Sequence, residues 1–143
     1  MAGVSNLSEL LAGMEPYLNE EEYVFCSIDG TLSSVVHLNP ICTFFEVEGL
    51  TVVIDKEKAD LNNLHSSNVF SCITISINSS LEAVGFTAAI SSELSKHGIS
   101  ANVVAAYHHD HIFVPVDRAH DAMQALGRLQ ERSKTFSQLT SIQ

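Results

Sequence analysis

The chain has 143 residues, about one domain's worth, and a core of that size needs neither disulfide nor metal to be stable. Its formal charge of −10, from 17 acidic residues against 7 basic ones, would repel a nucleic-acid backbone or an anionic membrane surface. Cys26, Cys42 and Cys72 are odd in number and far apart, each in an apolar, strand-like context, which reads as buried reduced thiols in a cytosolic protein.

Leu7, Leu10, Leu11 and Met14 recur at helical spacing, with Ser5 or Asn6 as an N-cap and Pro16 just beyond the end. This N-terminus has neither a basic leader nor a sustained apolar run, so no signal peptide is expected, and the other apolar runs are too short to cross a bilayer. The expected compartment is the cytoplasm. After an acidic turn at Glu20 to Glu22, Tyr23 to Ile28 is an apolar run of strand length, closed by Asp29-Gly30. The segment LSSVVHLNP is ambiguous and reads as a loop redirected by Pro40. In CTFFEVEGLTVVIDK two β-rich runs flank Glu48-Gly49 as in an antiparallel hairpin, and Lys56 to Leu64 offers a short helix through Ala59, Leu61 and Leu64.

The run from Val69 to Ile77 suits a central strand covered on at least one face. Ala83 to His97 carries Val84, Ala88, Ala89, Ile90 and Leu94 at helical spacing, with Gly98 as the glycine past its end. Ser100 to Tyr107 and His111 to Val114 should pair as a hairpin across a short polar turn. Asp117 is positioned to cap a last helix carrying Ala119, Ala122, Met123, Leu126 and Leu129, and the tail beyond Arg132 reads as a weak edge strand or frayed chain. The second half thus runs β-α-β-β-α, the core of a ferredoxin-like α+β sandwich with helices on one face of an antiparallel sheet.

The run Gly85-FTAAISSELSKH-Gly98-Ile99 resembles the first helix of ACT domains. INSSLEAVGFTAAIS, GISANVVAAYHHDHIFVP and EGLTVVIDKEKA are similar to small bacterial ACT-like proteins, over roughly residues 23 to 131. The resemblance implies two tandem ACT-like halves: a trimmed unit over 1–66, a βαββα unit over 67–132, and a tail over 133–143. It also implies a homodimer and a ligand of the amino-acid type, bound beside the loop between first strand and first helix.

That loop, Asn78-Ser79-Ser80-Leu81-Glu82 with Ala83, Val84 and Gly85, has two readings. Hydroxyls and freed N–H groups at a helix start form a carboxylate-binding nest, with Gly85 allowing close approach. Ser79 and Glu82 also have the spacing of a capping box, which satisfies the same donors without a ligand. By the resemblance, Asn102 faces a ligand or a partner subunit; as an amide among apolar neighbours it would otherwise bond to the backbone nearby. His109 and His111, flanking Asp110, would share one face of a strand and are weak metal candidates, since their spacing matches no established zinc motif; a hairpin turn is the competing reading. No cofactor motif is present. Ser79 or Ser80 near these histidines lacks the aligned base, orienting acid and oxyanion hole of a hydrolase. The reading is a non-catalytic regulatory module that binds an amino-acid-like molecule between its halves or across a dimer and signals through a separate protein partner. A structural or interaction protein with a decayed ligand site, and a metal-binding protein at the histidine turn, are the alternatives.

Overall fold

The computed structural model describes residues 6–66, 68–77 and 84–141. The chain divides into two compact units, one formed by residues 1–19 with 72–143 and the other by residues 20–71.

The first unit begins with α1 (Leu7–Ala12), where the Asn6 side chain accepts from the Glu9 N–H at 3.1 Å. Leu10, Leu11 and Met14 are buried, and at the other end of the helix the Gln130 amide donates to the Ala12 carbonyl at 3.0 Å. β1 (Pro16–Ile28) follows; its first residues belong to this unit and the remainder to the second. Glu20 to Glu22, expected as a turn, lie inside this strand. The pairing of β1 with its neighbours, which with β3 runs from Tyr23 to Ile28, outweighs the weak local preference of three adjacent carboxylates for a bend.

β4 (Phe70–Ile75), α4 (Phe86–Lys96), β5 (Asn102–Ala105), β6 (Asp110–Pro115) and α5 (Ala119–Ser141) complete the unit. Its strand order is β1-β4-β6-β5. Alternation sends Ile73, Ile75, Ile112 and Val114 to one face, where they meet Phe86, Ile90 and Leu94 of α4 and Ala122, Ala125 and Leu126 of α5. α4 ends where expected: Gly98 takes φ 67, and the Ile99 N–H bonds to the Leu94 carbonyl at 3.0 Å. Arg118 then donates to the carbonyls of His97 (2.9 Å) and Gly98 (3.3 Å), placing a cation at the negative end of the helix. The buried Glu93 of α4 is held by Arg132 of α5 at 2.5 Å, so this charge is paired within the helix layer.

Two expectations change here. Asp117 sits inside a 3-10 turn (Val116–Arg118) that precedes α5. The stretch after Arg132 continues α5 to Ser141, with Phe136 and Leu139 exposed. A chain already in helical register propagates through polar residues at little cost, whereas starting a strand there would need a partner edge.

In the second unit the order is β2-β3-β1, with β2 (Cys42–Glu46) and β3 (Gly49–Asp55) joined as the expected hairpin. Gly49 takes φ 154, and a side chain there would meet Ser27 Oγ at 2.7 Å. The ambiguous segment after Gly30 forms a single helical turn, α2 (Leu32–Val35), then a 3-10 turn (Val36–Leu38) that stops at Asn39 in the left-handed region. The Ser34 hydroxyl accepts from the Thr31 N–H at 3.1 Å, and Val35 and Leu38 become buried. α3 (Lys56–Leu61) is capped by Asp55, which accepts from the Glu57 N–H at 2.8 Å. Val24, Leu50, Val52, Ile54 and Ala59 close this unit's own core. The strands belong to a six-stranded sheet that is antiparallel where its register is defined, and the architecture is the ferredoxin-like α+β fold in two halves.

Candidate functional site

Most of the serine loop, namely Asn78, Ser79, Ser80, Leu81 and Ala83 together with Glu82, lies outside the described residues. Its two ends are described. Ile77 is the last residue before it, and the exposed Val84 leads into Gly85, which holds the N-cap of α4 at φ 89. That conformation is open to glycine and strained for other residues. The helix, predicted from Ala83, is observed from Phe86. Its first backbone bond runs from Ala89 N–H to the Gly85 carbonyl at 2.9 Å, and the cap residue supplies no side-chain bond. The N–H groups of the first turn therefore have no N-cap acceptor at Gly85.

The histidine cluster begins in the four-residue turn between β5 and β6, which the Ala106 N–H closes on the His109 carbonyl at 3.1 Å. His108 and His109 lie in that turn; Asp110 and His111 open β6. His109 Nδ1 lies 3.5 Å from the Ile77 carbonyl. The histidine turn therefore stands beside Ile77, the last described residue before the serine loop.

His111 belongs to a different arrangement. Its Nδ1 lies 3.0 Å from Thr74 Oγ1, and that oxygen accepts from Asn19 Nδ2 at 2.9 Å, which also donates to the Cys72 carbonyl at 2.9 Å. Asn19 fills one of the two acceptor positions of the Thr74 oxygen, so the hydroxyl can pair with a neutral His111 in either tautomer. A neutral ring suits the site: burial lowers the His111 pKa, neighbouring His109 lowers it further, and Asp110 opposes both. Burial likewise raises the Asp110 pKa against the opposing pull of His111 and His109. For both groups burial outweighs their mutual attraction, so this is a polar clasp joining β1, β4 and β6 and not a strong ion pair. Asn19 sits in a stretch whose acidity reads as a turn, so sequence reasoning misses it; the polar alternation of Cys72, Thr74 and Ser76 is the signal that was available.

His109 lies in the turn just before β6 and His111 in the strand. Among the described residues no group of three or more His, Cys, Asp or Glu side chains is placed to hold a metal ion. Asn102 is exposed at the start of β5, opposite Phe113 and towards the far end of the hairpin from the histidine turn. The Thr74–His111 bond sets Phe113 level with Cys72, so roughly 16 Å of strand separates Asn102 from Ile77. The structure brings Ile77 and His109 together and leaves Asn102 towards the other end of the strands. Of the cysteines, Cys72 is buried while Cys26 and Cys42 are half-buried, and all are free. Among the described residues no helix is long and apolar enough to cross a membrane.

An ACT-domain family model matches residues 2–71, and a second ACT-domain model matches residues 69–128. No curated protein matches the chain. Among solved structures it is similar to a Vibrio cholerae protein of unknown function described as a "possible transport protein", at 53% identity and a TM-score of 0.77 over 83% of this chain and 92% of that one. An Agrobacterium tumefaciens protein shares 15% identity with a TM-score of 0.60, over 80% and 87% of the two chains. The ligand-free regulatory subunit of aspartate kinase from Thermus thermophilus shares 8% identity with a TM-score of 0.56, over 80% and 95%. The last two likenesses are of fold alone. Two consecutive domain matches and the long, well-superposed Vibrio relative place the chain in the ACT-domain family, as a small protein with two ACT-type domains in tandem.

Proposed function

We propose that this chain is a non-catalytic, cytoplasmic regulatory module that forms a homodimer and binds an amino acid or similar small molecule at the start of α4. ACT domains are regulatory modules that bind small molecules, and the neighbours of this fold include regulatory subunits. The observation that carries the reading is the cap of α4: Gly85 at φ 89 supplies no capping side chain, so the first-turn N–H groups look to another acceptor, a role that suits a carboxylate. Asn78, Ser79, Ser80, Leu81, Ala83 and Val84 would line the ligand's charged end, and His109, beside Ile77, stands where the pocket would close. Asn102 is left out of this pocket because of its distance along the strand. With no catalytic machinery in this reading, the module would signal by changing its contact with a separate protein partner.

A thermal-shift screen against the amino acids tests this. A ligand at 100 times its Kd adds about 2.7 kcal/mol of stability, and the Gly85→Ala variant, which strains the cap at φ 89 and sets a methyl 3.5 Å from Leu7, should lose that shift. If none of the amino acids moves the melting temperature of the wild-type chain, ligand sensing fails. The reading of an interaction protein with a decayed site then stands, favoured by the exposed Phe44 and Phe45 of β2.

A further inference from the structure

The turn between β5 and β6 places His108, His109 and His111 within four residues of one another. Two side-chain bonds tie this end of the hairpin to β4 and the chain leaving it, and both are made by imidazoles. His111 Nδ1 lies 3.0 Å from Thr74 Oγ1, and His109 Nδ1 lies 3.5 Å from the Ile77 carbonyl. The chain they hold is anchored from its other side, where the Ser76 N–H donates to the Met14 carbonyl at 3.0 Å.

The surroundings of His111 suit an uncharged ring. Ile112 and Val114 turn to the helices, so alternation sends His111 and the buried Phe113 to the other face. Across from it, Val104 of β5 is its paired residue, and neither β5 (NVVA) nor β4 (FSCITI) carries an acidic or basic residue. The titratable group of β4 is Cys72, whose thiol burial pushes up and so keeps neutral. In residues 16–19 of β1, which supply Asn19, the titratable group is Tyr17. The charged groups felt by His111 are therefore His109, which opposes protonation, and Asp110, which favours it but alternates to the other side of the strand. Asn19 already donates to the Thr74 oxygen, so an imidazolium here would gain no acceptor beyond that shared hydroxyl.

We propose that the β5–β6 turn is a pH-sensitive latch, fastened against Thr74 and Ile77 while His111 is neutral and released when that ring takes up a proton. In the released turn the ring meets water and recovers the ordinary imidazole pKa of about 6.5, whereas the fastened ring resists the proton. Acid therefore shifts the balance towards release by up to about tenfold per pH unit below 6.5, until the lower pKa of the fastened ring is reached. Asp110 acts in the opposite sense, since burial raises its pKa and favours the fastened turn on acidification. As a second input to the regulatory module the latch rests on the proposed function, because Ile77 is the last described residue before the serine loop. The latch itself involves no ligand.

Hydrogen exchange of the full chain, followed by NMR between pH 7.5 and 5.5 and corrected for the intrinsic pH dependence of exchange, tests it. The reporter is the Ala106 N–H, which closes the turn on the His109 carbonyl, and the control is the Ile99 N–H, bonded to the Leu94 carbonyl at the end of α4. Protection of Ala106 should fall by up to about tenfold between pH 6.5 and 5.5 while that of Ile99 holds. His111→Gln, which keeps a hydrogen-bonding side chain without a titrating one, should remove the pH dependence, and Asp110→Asn should steepen it. If His111→Gln fails to fold, the His111 ring signals of the wild-type chain serve instead and should titrate below about 6.5. Ala106 protection that ignores pH would overturn the latch, as would an equal fall at Ala106 and Ile99, which marks loosening of the whole unit. A pH dependence that survives in folded His111→Gln, or a His111 ring that titrates at or above the ordinary value, would overturn its assignment to this residue. The measurement stands apart from the amino-acid screen: a silent screen leaves a pH-dependent turn in place, and a pH-independent turn leaves ligand binding in place.

Discussion

The β2–β3 and β5–β6 hairpins differ most in where they put their phenylalanines. In β6, Phe113 is 2% exposed, two residues on from His111, which bonds to Thr74 of β4. In β2, Phe44 and Phe45 are each 68% exposed. The same side chain is thus core in one hairpin and surface in the other. Strand propensity is satisfied equally in both, so the difference comes from what lies against each strand and not from the residues' preference for β structure.

The largest test of that contrast is truncation. Phe113→Ala should cost about 3–5 kcal/mol in chemical denaturation, the range for deleting a buried aromatic ring. The turns differ too, since only the β2–β3 hairpin depends on a glycine. Gly49→Ala would force a methyl to 2.7 Å from Ser27 Oγ at a φ of 154, and should cost about 2 kcal/mol by the same measurement. No glycine stands in the β5–β6 turn, so Ala106→Gly should cost less than about 1 kcal/mol.

A pH titration of stability probes the histidine hairpin specifically. The folded His111 resists protonation, so the unfolded chain takes up this proton first. Its contribution to stability is present above the ordinary imidazole pKa of about 6.5 and is lost as pH falls towards the lower folded value. His111→Gln should flatten that decline in a urea-melt series. Asp110 has the opposite sign. Its raised pKa favours the folded state below the ordinary carboxylate value of about 3.9, and the benefit is lost as pH rises through the folded value. Asp110→Asn should therefore gain stability at neutral pH and nothing at pH 3 in the same urea-melt series. The smallest effect is expected at Phe45. Phe45→Ala should change the stability of the chain by no more than about 0.5 kcal/mol, against the several kcal/mol expected at the buried Phe113.

The sequence by itself determined the local structure wherever periodicity and stop signals agree. α4 with its Gly98 terminus, the β2–β3 hairpin closing on Gly49, and the β5–β6 pairing across the histidine turn all follow from residues close together in the chain. These features depend on side-chain alternation and on backbone angles that few residues tolerate. Tertiary structure alone decided the rest. It drew Glu20 to Glu22 into a continuous strand, carried α5 on to Ser141, and docked Gln130 onto the end of α1. It linked Asn19, Thr74 and His111 across three strands, and it brought His109 against Ile77 while leaving Asn102 at the other end of the sheet. It also left Phe44 and Phe45 on an open edge when their pattern marks only a strand. The physical reason is the same in each case: burial, and hydrogen bonds between distant residues, are properties of what the chain folds against, and a local pattern records only that a surface exists to be covered.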